Sequence, residues 1–149
     1  MEAMKITSRI LCVSILLQIA GPGGAGQAPL ATEAFYFPRK ETCTVMLDFK
    51  KSSDAVAKLQ GDAKSVEIAR TLLAEWQPNA KAKCDGATKV TLLAVVIPGK
   101  DVYGRPDFSN RKNIMRLDGD ADKLLELAKT GDALSVARLK SSAKVELYP

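Results

Sequence analysis

The segment that most constrains the fold is residues 88–97, TKVTLLAVVI. It begins with alternating polar and apolar residues and then becomes apolar throughout. Alternation is typical of a half-buried strand, and a continuous apolar run of this length is typical of a strand covered on both faces. Pro98 and Gly99 end the segment. We therefore predict a central strand with protein packed on both of its faces.

The other segments alternate between the periodicities of strands and helices. Strands are predicted at residues 42–50, 111–117 and 144–148, and helices at 62–77 and 118–131. Residues 88–117 then form a long hairpin. The predicted fold class is α+β, with a mostly antiparallel sheet, two helices on one face and the element order β-α-β-β-α-β. This order is that of split-βαβ folds, and the likeness concerns element order alone.

Local signals set the ends of the first predicted helix. Its apolar stripe ends at Trp76, which we expect to be a core residue. Pro78 follows closely. Because proline has no N–H group and its ring clashes with the preceding turn, we expect Pro78 to end the helix.

The acidic run 118–122, DGDAD, favours the start of the second helix, and Gly131 suits its C-terminus. The run also matches the first three ligand positions of a calcium loop. Lys123 and Lys129 stand where that loop requires glycine and glutamate. We therefore predict helix capping and no metal site.

The first 25 residues have the pattern of a cleavable secretory signal. Lys5 and Arg9 precede an apolar stretch at residues 10–20, and small residues follow. The stretch is shorter than the roughly 20 residues that a membrane span needs. Cleavage is predicted after Ala25, with Ala28 as the alternative. We expect a periplasmic or secreted protein without stable membrane insertion after cleavage.

The rest of the chain is predicted to be an extended N-terminus at residues 26–40 and a single α+β domain at 41–149. The extended part contains Phe35, Tyr36 and Phe37, followed by Pro38. These aromatic residues predict a short edge strand or a plug over the core. The alternative is an exposed docking patch.

Signal cleavage would remove Cys12 and leave Cys43 and Cys84. An exported chain reaches an environment in which disulfides persist. We predict that the two residues pair, which would close a loop worth about 3–4 kcal/mol in the chain-entropy model. Free thiols or an intermolecular bridge are the alternatives.

The charge pattern argues against a nucleic-acid partner. The formal net charge of the chain is +5, and it becomes +4 without Lys5, Arg9 and Glu2. The basic residues are spread along the chain among acids, whereas a nucleic-acid binder usually concentrates them on one face. We also expect no cofactor.

The absence of histidine narrows the possible chemistry. It removes Ser-His-Asp and Cys-His catalysis and histidine general bases. One alternative that remains is a small extracytoplasmic hydrolase with paired carboxylates, for which Asp101, Asp107 and Asp118 are candidates. We expect no enzyme, because no pair of acids stands out from the surface acids.

The loop at residues 100–110 has the composition most typical of a binding site. We take Tyr103, Arg105, Asp107 and Phe108 as its candidate binding residues. Such a loop can also simply cover one end of the core. The favoured function is a non-catalytic exported binding protein that presents this loop or a sheet face to an unknown protein or envelope partner. A structural envelope component that forms oligomers is a third possibility.

Overall fold

The structure is a computed structural model, and it describes residues 30–149. The predicted signal peptide lies outside these residues. Five strands form one sheet in the order β1-β2-β3-β4-β5. They are β1 (Glu33–Pro38), β2 (Thr42–Asp48), β3 (Lys89–Val96), β4 (Lys112–Asp120) and β5 (Lys144–Leu147).

The sheet is mixed and mostly antiparallel. Only β2 and β3 are parallel, and the other neighbouring pairs are antiparallel. The predicted α+β class and the hairpin of β3 and β4 are confirmed. The likeness to split-βαβ folds is not, because β2 and β3 pair directly and no strand lies between them.

Residues 30–149 also contain four α-helices: α1 (Ser53–Lys58), α2 (Gly61–Lys83), α3 (Ala121–Ala128) and α4 (Val136–Ser142). The predicted element order and the two-helix face are not confirmed, because the structure adds β1, α1 and α4. α1 and α4 are short, with six and seven residues. A helix of two turns gives too short a repeat for its periodicity to be recognised in the sequence.

The main core lies between one face of the sheet and the helices. All four helices contribute apolar side chains to it, among them Val56, Leu72, Leu124 and Leu139. Trp76 is 1% exposed and belongs to this core, as its place on the apolar stripe predicts. The helical layer therefore covers this face of the sheet.

Pro78 does not end α2, so this prediction was wrong. The helix continues to Lys83, and Cys84 follows it. The side-chain amide of Asn79 donates to the backbone oxygen of Glu75 at 2.8 Å, an additional hydrogen bond in the turn around Pro78. Trp76 is buried in the main core before Pro78, and Cys84 is bonded to Cys43 after it, so tertiary contacts hold both sides of a turn that the local sequence disfavours.

The second predicted helix begins later than residue 118: Asp120 is its N-cap residue, without a side-chain capping hydrogen bond, and Asp122 lies in its first turn. Asp118 and Asp120 lie in β4, and α3 begins only at Ala121. Asp118 accepts hydrogen bonds from Arg116 and from Thr91 on β3, and Asp120 pairs with Lys89. Pairing with β3 extends the strand through acids that locally favour a helix start.

Cys43 and Cys84 form a disulfide. It joins β2 to the end of α2, and both residues are buried in the main core. The predicted pairing is therefore present in the structure.

Within residues 30–149, no helix is long and apolar enough to cross a membrane.

Candidate functional site

The sheet face opposite the helices, here called the open face, carries a second and smaller apolar cluster. Met46, Leu93, Val95 and Ile97 are buried in it. Phe35, Phe108 and Tyr148 are partly buried against it, and no residue of an α-helix belongs to it. The second face of the central strand is therefore covered by aromatic side chains of an edge strand, a loop and the C-terminus.

Phe108 fastens the loop between β3 and β4 onto the open face. Its ring meets Phe35 edge to face at a centroid distance of 5.1 Å and Phe37 at 5.4 Å. Edge-to-face contacts of this kind are worth about 0.5–1.5 kcal/mol beyond the buried area. The base of the loop is thus anchored, and its tip projects from a fixed position.

The tip is ordered by the carboxylate of Asp101. One carboxylate oxygen accepts hydrogen bonds from the backbone N–H groups of Tyr103 and Arg105, both at 2.9 Å. The N–H of Gly104 donates to the carbonyl of Asp101 at 3.0 Å, and Gly104 has the positive φ of +79° that this turn requires. The N–H of Asp101 donates in return to the carbonyl of Arg105.

These hydrogen bonds also act on the carboxylate itself. The backbone N–H of Arg105 is the main cause that lowers the pKa of Asp101 below its ordinary value, and the N–H of Tyr103 and the Arg105 guanidinium add to it. Asp101 therefore stays ionised, and accepts the hydrogen bonds of the turn, down to a lower pH than an ordinary aspartate would.

The side chains at this tip are open to solvent. Val102 is 92% exposed and Tyr103 is 77% exposed. The Arg105 guanidinium lies over the Tyr103 ring, 5.0 Å from its centroid. An apolar group, an aromatic ring and a cation are thus presented together on an ordered turn. We call Val102, Tyr103 and Arg105 the loop tip.

A groove of about 180 Å³ lies at the base of the loop, at the carboxyl ends of the parallel strands β2 and β3. Lys50, Lys51 and Lys100 line it together with the acid Glu33, and Phe35 is in its wall. Asp48 also lines it, and its carboxylate accepts from the backbone N–H groups of Lys50 and Ile97 at 3.0 and 3.1 Å. This groove is called the lysine groove.

Comparison with protein-family models, with curated proteins and with solved structures finds no match for this chain. The functional argument therefore depends on the residues themselves.

The four predicted binding residues fall into two groups. Tyr103 and Arg105 lie in the loop tip. Phe108 packs on the open face, and Asp107 accepts a hydrogen bond from the side chain of Asn110 at 2.7 Å. The structure thus gives Tyr103 and Arg105 exposed positions, and gives Asp107 and Phe108 contacts within the protein.

Sequence reasoning missed Val102 and the lysines of the groove. Lys50 and Lys51 come directly after one strand, and Lys100 comes shortly after the next. The carboxyl ends of parallel strands meet at the same edge of a sheet, so this spacing is a usable signal. It could not be used because the parallel pairing of β2 with β3 was not predicted.

The acids considered for a hydrolase have separate partners. Asp101 binds the loop tip, Asp107 binds Asn110, and Asp118 binds Arg116 and Thr91. The pKa of Asp101 and that of Asp118 are both lowered. A carboxylic general acid needs a raised pKa instead.

Residues 30–149 contain no group of three or more Cys, Asp or Glu side chains placed to hold a metal ion.

Proposed function

We propose that this chain is a small exported binding protein without catalytic activity, and that it holds its partner with the loop tip. The observation that carries the proposal is the exposed tip itself, which the Asp101 carboxylate holds in one conformation. An ordered turn loses little conformational freedom on binding, so more of the contact energy remains for affinity.

The residue types at the tip support this proposal. Tyrosine and arginine are enriched among the residues that dominate binding energy at protein interfaces. Val102 adds apolar area beside them. The neighbouring lysine groove adds positive charge, so we expect a protein or envelope partner with acidic groups next to an apolar contact.

The proposed location is the periplasm or the cell exterior. It is supported by the signal pattern in the sequence and by the disulfide between the two cysteines that would remain after cleavage. N-terminal sequencing of the purified mature protein tests it, with Gly26 expected as the first residue. An intact N-terminus on protein recovered from inside the cell would contradict it.

Two substitutions at the tip test the binding proposal. Tyr103→Ala and Arg105→Ala each remove a side chain whose exposed position makes it unimportant for the core. We expect either change to weaken binding by about tenfold or more, the effect of a strong interface residue. Affinity capture from the native envelope, with partners identified by mass spectrometry, provides the partner for this measurement.

Arg138→Ala is the matched control, because Arg138 is an exposed arginine on α4. It should leave partner binding unchanged. All three variants should keep a melting temperature within a few degrees of the wild type. Equal binding by the wild type and both tip variants would reject the loop tip as the binding surface, whatever the partner is.

A further inference from the structure

The two edges of the sheet differ in how well they suit pairing with another strand. β1 and β5 are the outer strands. β5 has four residues, KVEL, with two charged side chains, and short charged edges resist pairing. β1 has six residues, EAFYFP, and Glu33 at its start is its only charged residue. Among residues 30–149, no strand pairs with the outer side of β1.

The register of β1 with β2 shows which backbone groups point outward. The N–H of Arg39 donates to the carbonyl of Thr42 at 2.7 Å, so these residues form a hydrogen-bonded pair next to the turn. Such pairs alternate along an antiparallel ladder. The backbone groups of Phe35 and Phe37 therefore point towards β2, and those of Ala34 and Tyr36 point away from it.

Pro38 fits this pattern. It is the next outward residue after Tyr36, so its missing N–H removes no hydrogen bond to β2. Its carbonyl remains as an outward acceptor. The outer side of β1 thus offers the N–H groups of Ala34 and Tyr36 and the carbonyls of Ala34, Tyr36 and Pro38.

We propose that the outer side of β1 pairs with β1 of a second copy of this chain. The two strands run antiparallel about a two-fold axis at Tyr36, so that Tyr36 lies opposite Tyr36 of the second copy. The N–H of Tyr36 donates to the carbonyl of Tyr36 of the second copy, and the N–H of Ala34 donates to the carbonyl of Pro38. Both outward N–H groups of each strand are then satisfied.

Charge complementarity supports a second copy and selects this register. Pairing centred on Tyr36 sets Glu33 opposite Arg39 of the second copy at both ends of the interface, and Phe35 opposite Phe37. Opposite charges and aromatic rings directly across an antiparallel pair are stabilising. The neighbouring register, centred on Phe35, sets the Glu33 carboxylate against the apolar ring of Phe37 and leaves it unpaired.

The pairing has a consequence for the open face. Phe35 and Phe37 lie on the open face, as their contacts with Phe108 show. Opposite residues in an antiparallel ladder point to the same side of the sheet. The open faces of the two copies therefore lie on one side of a continuous sheet. This inference does not depend on the proposed binding function, because it uses the edge of the sheet and not the loop tip.

Sedimentation equilibrium of the purified processed protein tests the dimer. Because two paired edge strands bury little surface, we expect weak association, and the measurement extends to roughly 100 µM protein. Glu33→Arg and Arg39→Glu alone each set like charges opposite one another, and each should raise the dissociation constant of the dimer about tenfold at low salt. The double reversal Glu33→Arg/Arg39→Glu restores opposite charges and should bring the constant back to within about threefold. Circular dichroism verifies that each variant is folded.

A cysteine at the axis tests the register. Residues that face each other in a hydrogen-bonded pair have Cα atoms about 5.5 Å apart, which is within the range of a disulfide. Tyr36→Cys should therefore give a covalent dimer on oxidation, seen on a non-reducing gel. Phe35→Cys, whose two copies lie two residues out of register with each other, should not.

A monomer throughout the concentration range would overturn the proposal. So would a dimer that is indifferent to both charge reversals, because its interface would lie elsewhere. A strand from a different protein bound at β1 in the purified material would likewise contradict pairing with a second copy. These outcomes are independent of partner capture by the loop tip, so the failure of one proposal can be told apart from that of the other.

Discussion

Cys43 on β2 is joined to Cys84, the residue that follows α2, by a disulfide with a Cα separation of 5.6 Å. The two residues are 41 positions apart in the chain, and the loop that they close contains both α1 and α2. The bond therefore ties the end of the crossover between the two parallel strands to the start of β2, within the main core.

Removal of this bond should destabilise the protein without changing its fold. For a loop of this length, we expect Cys43→Ser/Cys84→Ser to lower the free energy of unfolding by about 3–4 kcal/mol. Urea unfolding followed by tryptophan fluorescence measures the loss. Addition of a reductant should lower the free energy of unfolding of the wild type and leave that of the double variant unchanged. Two free thiols in protein purified without a reductant would raise its mass by two units above that of the disulfide-bonded form. That result would contradict the bond.

Pro78 lies inside α2, where an interior proline costs about 3 kcal/mol relative to alanine. Part of this cost is offset because proline also restricts the unfolded chain. We expect Pro78→Ala to raise the free energy of unfolding by about 1–2 kcal/mol. Thermal denaturation measures the gain. A loss of stability would contradict this account of Pro78.

Gly119 is a strand glycine with no room for a side chain. A Cβ atom there would lie 3.1 Å from the backbone oxygen of Ser142 and 3.4 Å from Cγ of Leu124. Gly119→Ala should therefore cost about 1–3 kcal/mol, the usual range for overpacking. Gly99→Ala is the control, because nothing lies within 4 Å of its Cβ position. Equal melting temperatures for the two variants would refute this account.

Asp118 should contribute to stability in a pH-dependent way. Burial raises its pKa, but the hydrogen bonds from Arg116 and Thr91 outweigh burial, and the net effect is a pKa below the ordinary value. A lowered folded-state pKa gives stability that is present above the unfolded pKa of about 3.9. That stability is lost as the pH falls through the folded-state pKa.

Asp118→Asn tests this dependence. Because Arg116 and Asp118 are partly exposed and solvent screens their attraction, we expect a loss of at most about 1 kcal/mol at pH 7. The difference from the wild type should shrink at a pH below the folded-state pKa. Urea unfolding at several pH values measures it, with Asp132→Asn at an exposed position as the control. A difference that does not depend on pH would exclude the ionised carboxylate as its source.

Much of the fold could be predicted from local patterns. The alternation in β2 and β3 and the apolar stripe of α2 repeat over enough residues to identify each element. The pair Cys43 and Cys84 followed from the count of cysteines once a signal peptide was assumed. The exposure of Tyr103 and Arg105 could be predicted from the sequence because turn-forming residues surround them.

Other features were decided by partners far away in the chain. Pro78 stays helical because Trp76 before it is buried in the core and Cys84 after it is bonded to Cys43. Asp118 lies in β4, where the hydroxyl of Thr91 on β3 donates a hydrogen bond to its carboxylate. The parallel pairing of β2 with β3 assembled the lysine groove from separate segments. None of these contacts is encoded within one turn of helix or one strand.

The central strand predicted from residues 88–97 shows the same division. Its sequence determined that it would be a strand with both faces covered, because its side chains are apolar on both sides. Only the tertiary structure decided what covers them: helices on one face, and Phe35 and Phe108 on the other. The hydrophobic effect favours burial of these apolar side chains but has no preferred direction. Which segments pack on them therefore depends on how the strands pair.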